Sequence, residues 1–357
     1  MQHIELYWKD FWGWFWNDEF WLPKGMSFKD FQNKPGVYYP KTNDLGNMIT
    51  VAICLTFARL LYERAIFKVA PMNFKQAHLR KRPEENLTLE HQYNLNKQPS
   101  DEKVSTLAFK LHWSTRSVQR WFRKRRNANK PSILNKLTES TWRCIFYLIA
   151  FSFGVGILLQ SPWLWDNLHC FSNYPFQSLW PSVFYYYILE GGFYISLVFT
   201  LLRDVRRKDF VEQIVHHLAT LGLIIFSYVT NLVRIGTLVL ALCDISDVFL
   251  EAGKSLHYVK FQKSADLMFV LFAVVFFLSR VVAFPVVVIH TAYVKSMWLA
   301  KPYPGYYVFN ALLLVLQILN IMWAATIFRM AIDMKRKGKV EKDGRSGTEE
   351  SLDDEDE

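Results

Sequence analysis

The sequence predicts an all-α, multi-pass membrane protein of about seven transmembrane helices, with a small helical cytoplasmic segment after the first. Three observations carry that expectation. Hydrophobic residues make up 51% of the 357 positions and aromatic ones 17%, against 21% charged, which is richer in apolar groups than a soluble domain. Seven stretches approach the roughly 20 mostly apolar residues that a helix needs to cross a bilayer: about 45–67, 138–160, 180–202, 209–229, 232–250, 266–290 and 306–330. The connections between them alternate between base-rich and base-poor, as loops on opposite sides of a membrane do. A mean hydropathy of only +0.05 does not oppose this, because the polar stretches 68–137 and 335–357 dilute the apolar runs.

In chain order, residues 1–44 are expected on the lumenal side. MQHIELYWKDFWGWFWNDEFWLP lacks the basic start and aliphatic core of a cleaved signal peptide, and its Trp and Phe residues read as an interfacial belt before the first span at 45–67. That span carries Arg59, Glu63 and Arg64 near its end, and the fifth carries two aspartates; six spans is the nearest competing count. Of 42 Lys and Arg residues, 16 lie between Lys68 and Lys136, so 68–131 is assigned to the cytoplasm. RDVRRK at 203–208, Lys254, Lys260 and Lys263, and KRKGK at 335–339 fall on the same side, whereas 161–179 holds no base. The C-terminus is therefore cytoplasmic. The sequon at Asn86 lies in the basic cytoplasmic segment, where glycosylation is not expected. The tail 335–357 ends GTEESLDDEDE, either a solubilising run or a target of an acid-directed kinase at Ser351. Cys54, Cys144, Cys170 and Cys243 show neither a disulfide framework nor zinc-ligand spacing, and no metal site is expected.

The chemistry-bearing residues lie inside the membrane. At 100° per residue, Asp209, Gln213, His216, Thr220 and Ser227 share one stripe of the fourth span, with His217 at its edge. Thr237, Asp244, Asp247, Glu251 and Lys254 share a stripe of the fifth. An ionisable group at the bilayer centre costs on the order of 2.5–3.5 kcal/mol on insertion scales, so such residues face a protein interior or a wet cavity. His216 lies seven residues past Asp209, and Asp244 seven before Glu251. At 1.5 Å per residue each is roughly 10 Å below the cytoplasmic surface. The two stripes can therefore face each other as a His and Asp reaction centre open to the cytosol, or serve as hydrogen-bonding glue or an ion path. For Glu190 in the third span and Arg280 in the sixth, each alone, glue is the leading reading.

The stretch from His216 to Lys254 closely resembles the Lag1 signature within the TLC domain of ceramide synthases, through His216, His217, Ser227, Tyr228, Asn231, Arg234, Gly236, Asp244, Asp247, Glu251 and Lys254. WNDEFWLP, SPWLWD, RRKDF and the acidic tail extend the resemblance over nearly the whole chain. Cys243 departs from the histidine that many animal members carry there. The resemblance makes 132–334 a TLC domain of six helices. It implies transfer of a fatty acyl group from acyl-CoA to the amine of a sphingoid base, giving ceramide or dihydroceramide, in the endoplasmic reticulum membrane. No cofactor is expected, acyl-CoA being a substrate. Membrane lipid and homo- or heterodimers with related synthases are the other partners considered.

On that reading His216 is the reactive imidazole, as base or as acyl acceptor, with His217 in support. Asp244 and Asp247 orient an imidazole or hold the substrate ammonium. Arg203, Arg206, Arg207 and Lys208 stand where coenzyme A phosphates would approach, although positive-inside topology alone explains them. Ser227, Tyr228, Asn231 and Arg234 are carried over as substrate-binding residues, and 291–305 as the segment that selects acyl length. The competing reading is a non-catalytic TLC-domain protein, lipid-sensing or chaperone-like. STLAFKLHWSTRSVQRWFRKRRNANKPS resembles the end of a homeodomain, but Lys124 replaces the Asn that reads adenine. DNA is not an expected partner; anionic lipid or a stabilising role fits the bases better.

Overall fold

A computed structural model describes residues 11, 13–71, 83–128, 132–201, 204, 208–298 and 301–337. The long helices in chain order are α1 (Leu45–Val69), α2 (Leu87–Leu95), α3 (Asp101–Leu111), α4 (Thr115–Ala128), α5 (Ile133–Leu159), α6 (Pro181–Thr200), α7 (Phe210–Val229), α8 (Val233–Tyr258), α9 (Gln262–Phe276) and α10 (Pro304–Lys337). Among the described residues the extended pairing is one isolated bridge, Lys34 with Val37. The chain divides into two compact units: Met1–Leu61 with Ser140–Glu357, and Tyr62–Glu139. Arg203, Arg206, Arg207 and the acidic tail with Ser351 lie outside the described residues.

Six helical stretches are long and apolar enough to cross a membrane: α1, α5, α6, α7, α9 with its continuation to Trp298, and α10. The seventh expected span is α8. It is a helix of 26 residues packed in the same core, but Arg234, Asp244, Asp247, Glu251 and Lys254 make it too polar to pass on composition. Such a helix is compatible with a bilayer only when its neighbours cover it, and Asp244 is fully buried. Beyond α9 the hydrogen bonding becomes π-helical over Phe277–Ile289, a run that contains Pro285 and Arg280. Wide π turns of this kind recur at functional sites.

Local sequence explains the helix ends. Pro181 opens α6, where its missing N–H would have been unpaired anyway. The turn between α7 and α8 needs a left-handed residue, and Asn231 supplies it at φ 60°. Close helix contacts are made through small residues. A Cβ added at Gly192 of α6 would lie 2.5 Å from Val51 Cγ1 and 3.1 Å from the Met48 carbonyl of α1. Gly192→Ala is accordingly expected to destabilise the bundle by about 1–3 kcal/mol, read as a lower thermal midpoint in detergent.

Arg59, the charge that made the first span doubtful, is 5% exposed and holds Asp204 Oδ1 at 2.5 Å and Thr200 Oγ1 at 3.0 Å. Arg143 of α5 holds the other oxygen of Asp204 at 2.6 Å. The charged end of α1 is thus anchored to the turn after α6. The aromatic N-terminus differs in part from a plain interfacial belt. Trp14 is exposed, but Trp21 is buried, its ring 4.6 Å from Phe226 of α7 and 6.2 Å from Phe309 of α10.

The second unit holds α2, α3 and α4 around Leu89, Tyr93, Val104, Leu107, Val118, Trp121 and Phe122. Asn86 caps α2 by accepting from the Thr88 and Leu89 N–H groups, a structural use for the residue of the sequon. Arg125 pairs with Glu90 at 2.6 Å and lies 4.9 Å over the Tyr93 ring. Arg116, Arg120 and Lys124 of α4 are exposed.

Candidate active site

The apolar stripes of α6, α7, α8 and α10 do not close on each other completely. They leave a narrow cavity of about 80 Å³. Its walls are mostly aliphatic and aromatic, with His216, Thr220 and Ser227 contributed by α7, and Gly236 and Cys243 by α8. His216 is the one imidazole on that wall among the described residues. From His216 to Ser227 the cavity runs eleven residues along α7, about 16 Å. It continues to Tyr174 and Tyr303, whose hydroxyls bond at 2.9 Å. Ala292, Ser296 and Lys301 join the wall there. On that wall Tyr187 bonds Ser227 at 3.2 Å, and its hydroxyl occupies the space that a side chain at Gly236 would need.

The two histidines have different surroundings. The His216 ring meets Trp323 of α10 edge-on, with centroids 5.3 Å apart, and Trp323 donates its indole N–H to Asp209 at 3.2 Å. His217 is not on the cavity wall; its ring meets Tyr194, which is, with 6.0 Å between centroids. Neither Nδ1 has a hydrogen-bond partner. The α7 stripe read from the sequence thus lines the cavity from His216 through Thr220 to Ser227.

The α8 stripe does not face it, and this corrects the expected His and Asp cluster. Ile235, Gly236, Val239, Leu240 and Cys243 form the cavity face of α8, while the aspartates point to other partners. Asp247 accepts from Arg280 Nη2 at 2.7 Å, and Arg280 also donates to Ser246 Oγ at 2.9 Å and the Cys243 carbonyl at 2.8 Å. Asp244 accepts from Tyr186 at 3.5 Å, and the Glu190 carboxyl stands against it. The two aspartates are one turn apart on a helix whose apolar edge, not its polar one, meets α7. Neither holds an imidazole.

Three further residues expected at the substrate bond to protein groups. Tyr228 donates to Asp44 at 2.7 Å. Asn231 donates to the carbonyls of Pro175 and Gln177, both at 2.7 Å. Arg234 donates to the His169 carbonyl at 2.9 Å and lies 5.1 Å over the Trp163 ring. Asn231 and Arg234 tie the α7–α8 turn to the 162–180 loop, and Tyr228 ties α7 to the residue before α1. Ser227 is the residue of that group on the cavity wall. Lys208 is exposed ahead of α7. The sequence reading missed Trp323 and Tyr194 as partners of the histidines, because an aromatic in an apolar run gives no signal of its own, and it set Glu190 aside as a lone charge.

Residues 136–329 match the TLC domain family, and residues 76–131 match the homeodomain. Human ceramide synthase 5 is 40% identical over 350 residues, spanning 97% of this chain and 89% of its own length. Human ceramide synthase 4 is 41% identical over 340 residues, 95% of this chain and 86% of its own. Ceramide synthase hyl-2 of Caenorhabditis elegans is 30% identical over 352 residues, 94% of each chain. Identity at this level over nearly the full length, together with a buried polar site inside a helical membrane bundle, decides the assignment. The chain belongs to the ceramide synthase family of multi-pass, TLC-domain acyltransferases.

Proposed function

We propose that the protein transfers a fatty acyl group from acyl-CoA to the primary amine of a sphingoid base, sphinganine or sphingosine, and that the transfer takes place at His216. The observation that carries this is the position of that imidazole on the wall of a long apolar cavity. A thioester carbonyl at His216 can extend its hydrocarbon tail along the α7 face toward Tyr174 and Tyr303. An imidazole on the cavity wall can take the acyl group and pass it to the amine, or remove a proton from the amine as it attacks. On either route the amine nitrogen bonds the carbonyl carbon, the C–S bond breaks and the thiolate leaves with coenzyme A. Trp323 and Asp209 hold the imidazole side of the cavity in place.

The base-rich connections support a cytoplasmic mouth beside Lys208 and a lumenal far end, with residence in the endoplasmic reticulum as for the family. The helical unit at 83–128 presents Arg116, Arg120 and Lys124 to solvent, which suits anionic lipid more than base-specific DNA reading. The far end of the cavity provides the test. Tyr303→Ala opens the tyrosine pair that closes it, and is expected to move the preferred acyl-CoA toward longer chains by two or more carbons in an acyl-CoA series. An unchanged preference would place the acyl chain elsewhere.

A further inference from the structure

A reacting imidazole has to be held in one orientation, and a carboxylate on its Nδ1 is the common way of doing so. His216 is held differently. Its Nδ1 has no hydrogen-bond partner among the described residues, and Asp244 and Asp247 bond to Tyr186 and Arg280. The printed contacts of the ring are aromatic: Trp323 of α10 meets it at 5.3 Å between centroids and 75° between planes, and the His217 ring lies 5.7 Å away. Trp323 is fixed in turn by its indole N–H, which donates to Asp209 Oδ2 at 3.2 Å. The other oxygen of that carboxylate, Oδ1, accepts from Gln213 Nε2 at 3.3 Å. Asp209, Gln213 and His216 share one stripe of α7, so the carboxylate reaches across to α10 and the indole returns to the imidazole.

We propose that Asp209 is a positioning residue for the transfer, setting the orientation of the His216 ring through Trp323. The inference rests on the acyl-transfer reading above and supplies the means by which the reacting ring is held. Asp209 immediately precedes α7, and His216 lies seven residues further along. That is two turns, roughly 10 Å, beyond the reach of the carboxylate itself. Trp323 spans the gap, taking a hydrogen bond at its pyrrole edge and meeting the imidazole with its ring. An indole has one donor and no other polar atom, so this bond is the one hydrogen bond that can fix its rotation. Edge-to-face pairs are directional; a Trp323 free to turn no longer defines one orientation for the imidazole. A misplacement on the order of 1 Å at a reacting group costs about 10²-fold in rate. The bond is not needed to assemble the two helices, because α7 and α10 also meet through Phe226 and Phe309, both packed on Trp21. Its loss therefore falls on turnover, not on folding or substrate affinity.

The test uses steady-state kinetics of the full-length protein in nanodiscs with acyl-CoA and sphinganine. Asp209→Leu, which cannot accept a hydrogen bond, is expected to lower kcat at least tenfold while KM for either substrate stays within twofold. Asp209→Asn keeps an acceptor and is expected to retain at least three times the kcat of Asp209→Leu. Trp323→Phe keeps an aromatic ring without the donor and is expected to lose kcat to a similar degree. Both changes break one bond, so the double variant Asp209→Leu with Trp323→Phe is expected within twofold of the slower single variant. An unchanged kcat in Asp209→Leu, losses that multiply in the double variant, or a raised KM for acyl-CoA at wild-type kcat overturns the positioning role. Should Asp209→Leu fail to fold, Trp323→Phe carries the test, and wild-type kcat in that variant overturns the proposal. Folded wild-type protein without acyl transfer would remove the acyl-transfer reading and this role with it. An active wild type with unchanged kcat in both single variants would remove the positioning role alone.

Discussion

His216→Ala is expected to lower acyl transfer by about 10²–10⁴-fold, the range lost when a positioned acid–base group is removed. The imidazole is half-buried on the cavity wall and touches Trp323 at its edge, so truncation removes the reacting group and leaves the Trp323–Asp209 bond in place. The folded yield and thermal midpoint should change little. His217→Ala should cost less activity, because that ring packs on Tyr194 and is not on the cavity wall. Initial rates with saturating acyl-CoA and sphinganine compare the two variants directly. An equal loss for both would mean that the histidines act as a unit.

Arg280→Met is expected to destabilise the protein by about 3–5 kcal/mol, the cost of leaving one partner of a buried ion pair without the other. The guanidinium is 3% exposed; its Nη2 donates to Asp247 at 2.7 Å and to the Cys243 carbonyl, and its Nε to Ser246 Oγ. Removing it strands a carboxylate in the interior and releases the π-helical run from α8. The double variant Arg280→Met with Asp247→Asn should regain much of the loss, since the stranded charge is then gone. Thermal unfolding in detergent of the two single variants and the double variant measures the coupling. Additive losses would show that the pair contributes no mutual stabilisation.

The helical membrane architecture was legible because apolar runs of span length need no tertiary information, and so was the α7 stripe, where a 3.6-residue period alone places His216, Thr220 and Ser227 on one face. The partners of the α8 aspartates were not. A helical wheel shows that Asp244 and Asp247 share a side, but not which neighbour that side meets. The answer depends on Arg280 and Glu190, lone charges in two other spans whose pairing arises only from packing. Tyr228, Asn231 and Arg234 show the same limit from the other direction. Their identities were readable as part of a signature, yet their bonds to Asp44, Pro175 and His169 depend on irregular segments that no periodicity describes. Arg59 looked like an obstacle to the first span until its counter-ion, Asp204, appeared from the turn after α6.

The most direct measurement of the central claim is mass-spectrometric detection of N-acylated product from purified protein, defined acyl-CoA and sphinganine, beside the same reaction with His216→Ala. The cavity and its imidazole predict dihydroceramide from the wild type, with free coenzyme A released in equal amount, and a loss of at least 10²-fold in the variant. No product from folded wild-type protein, or undiminished product from His216→Ala, would contradict it.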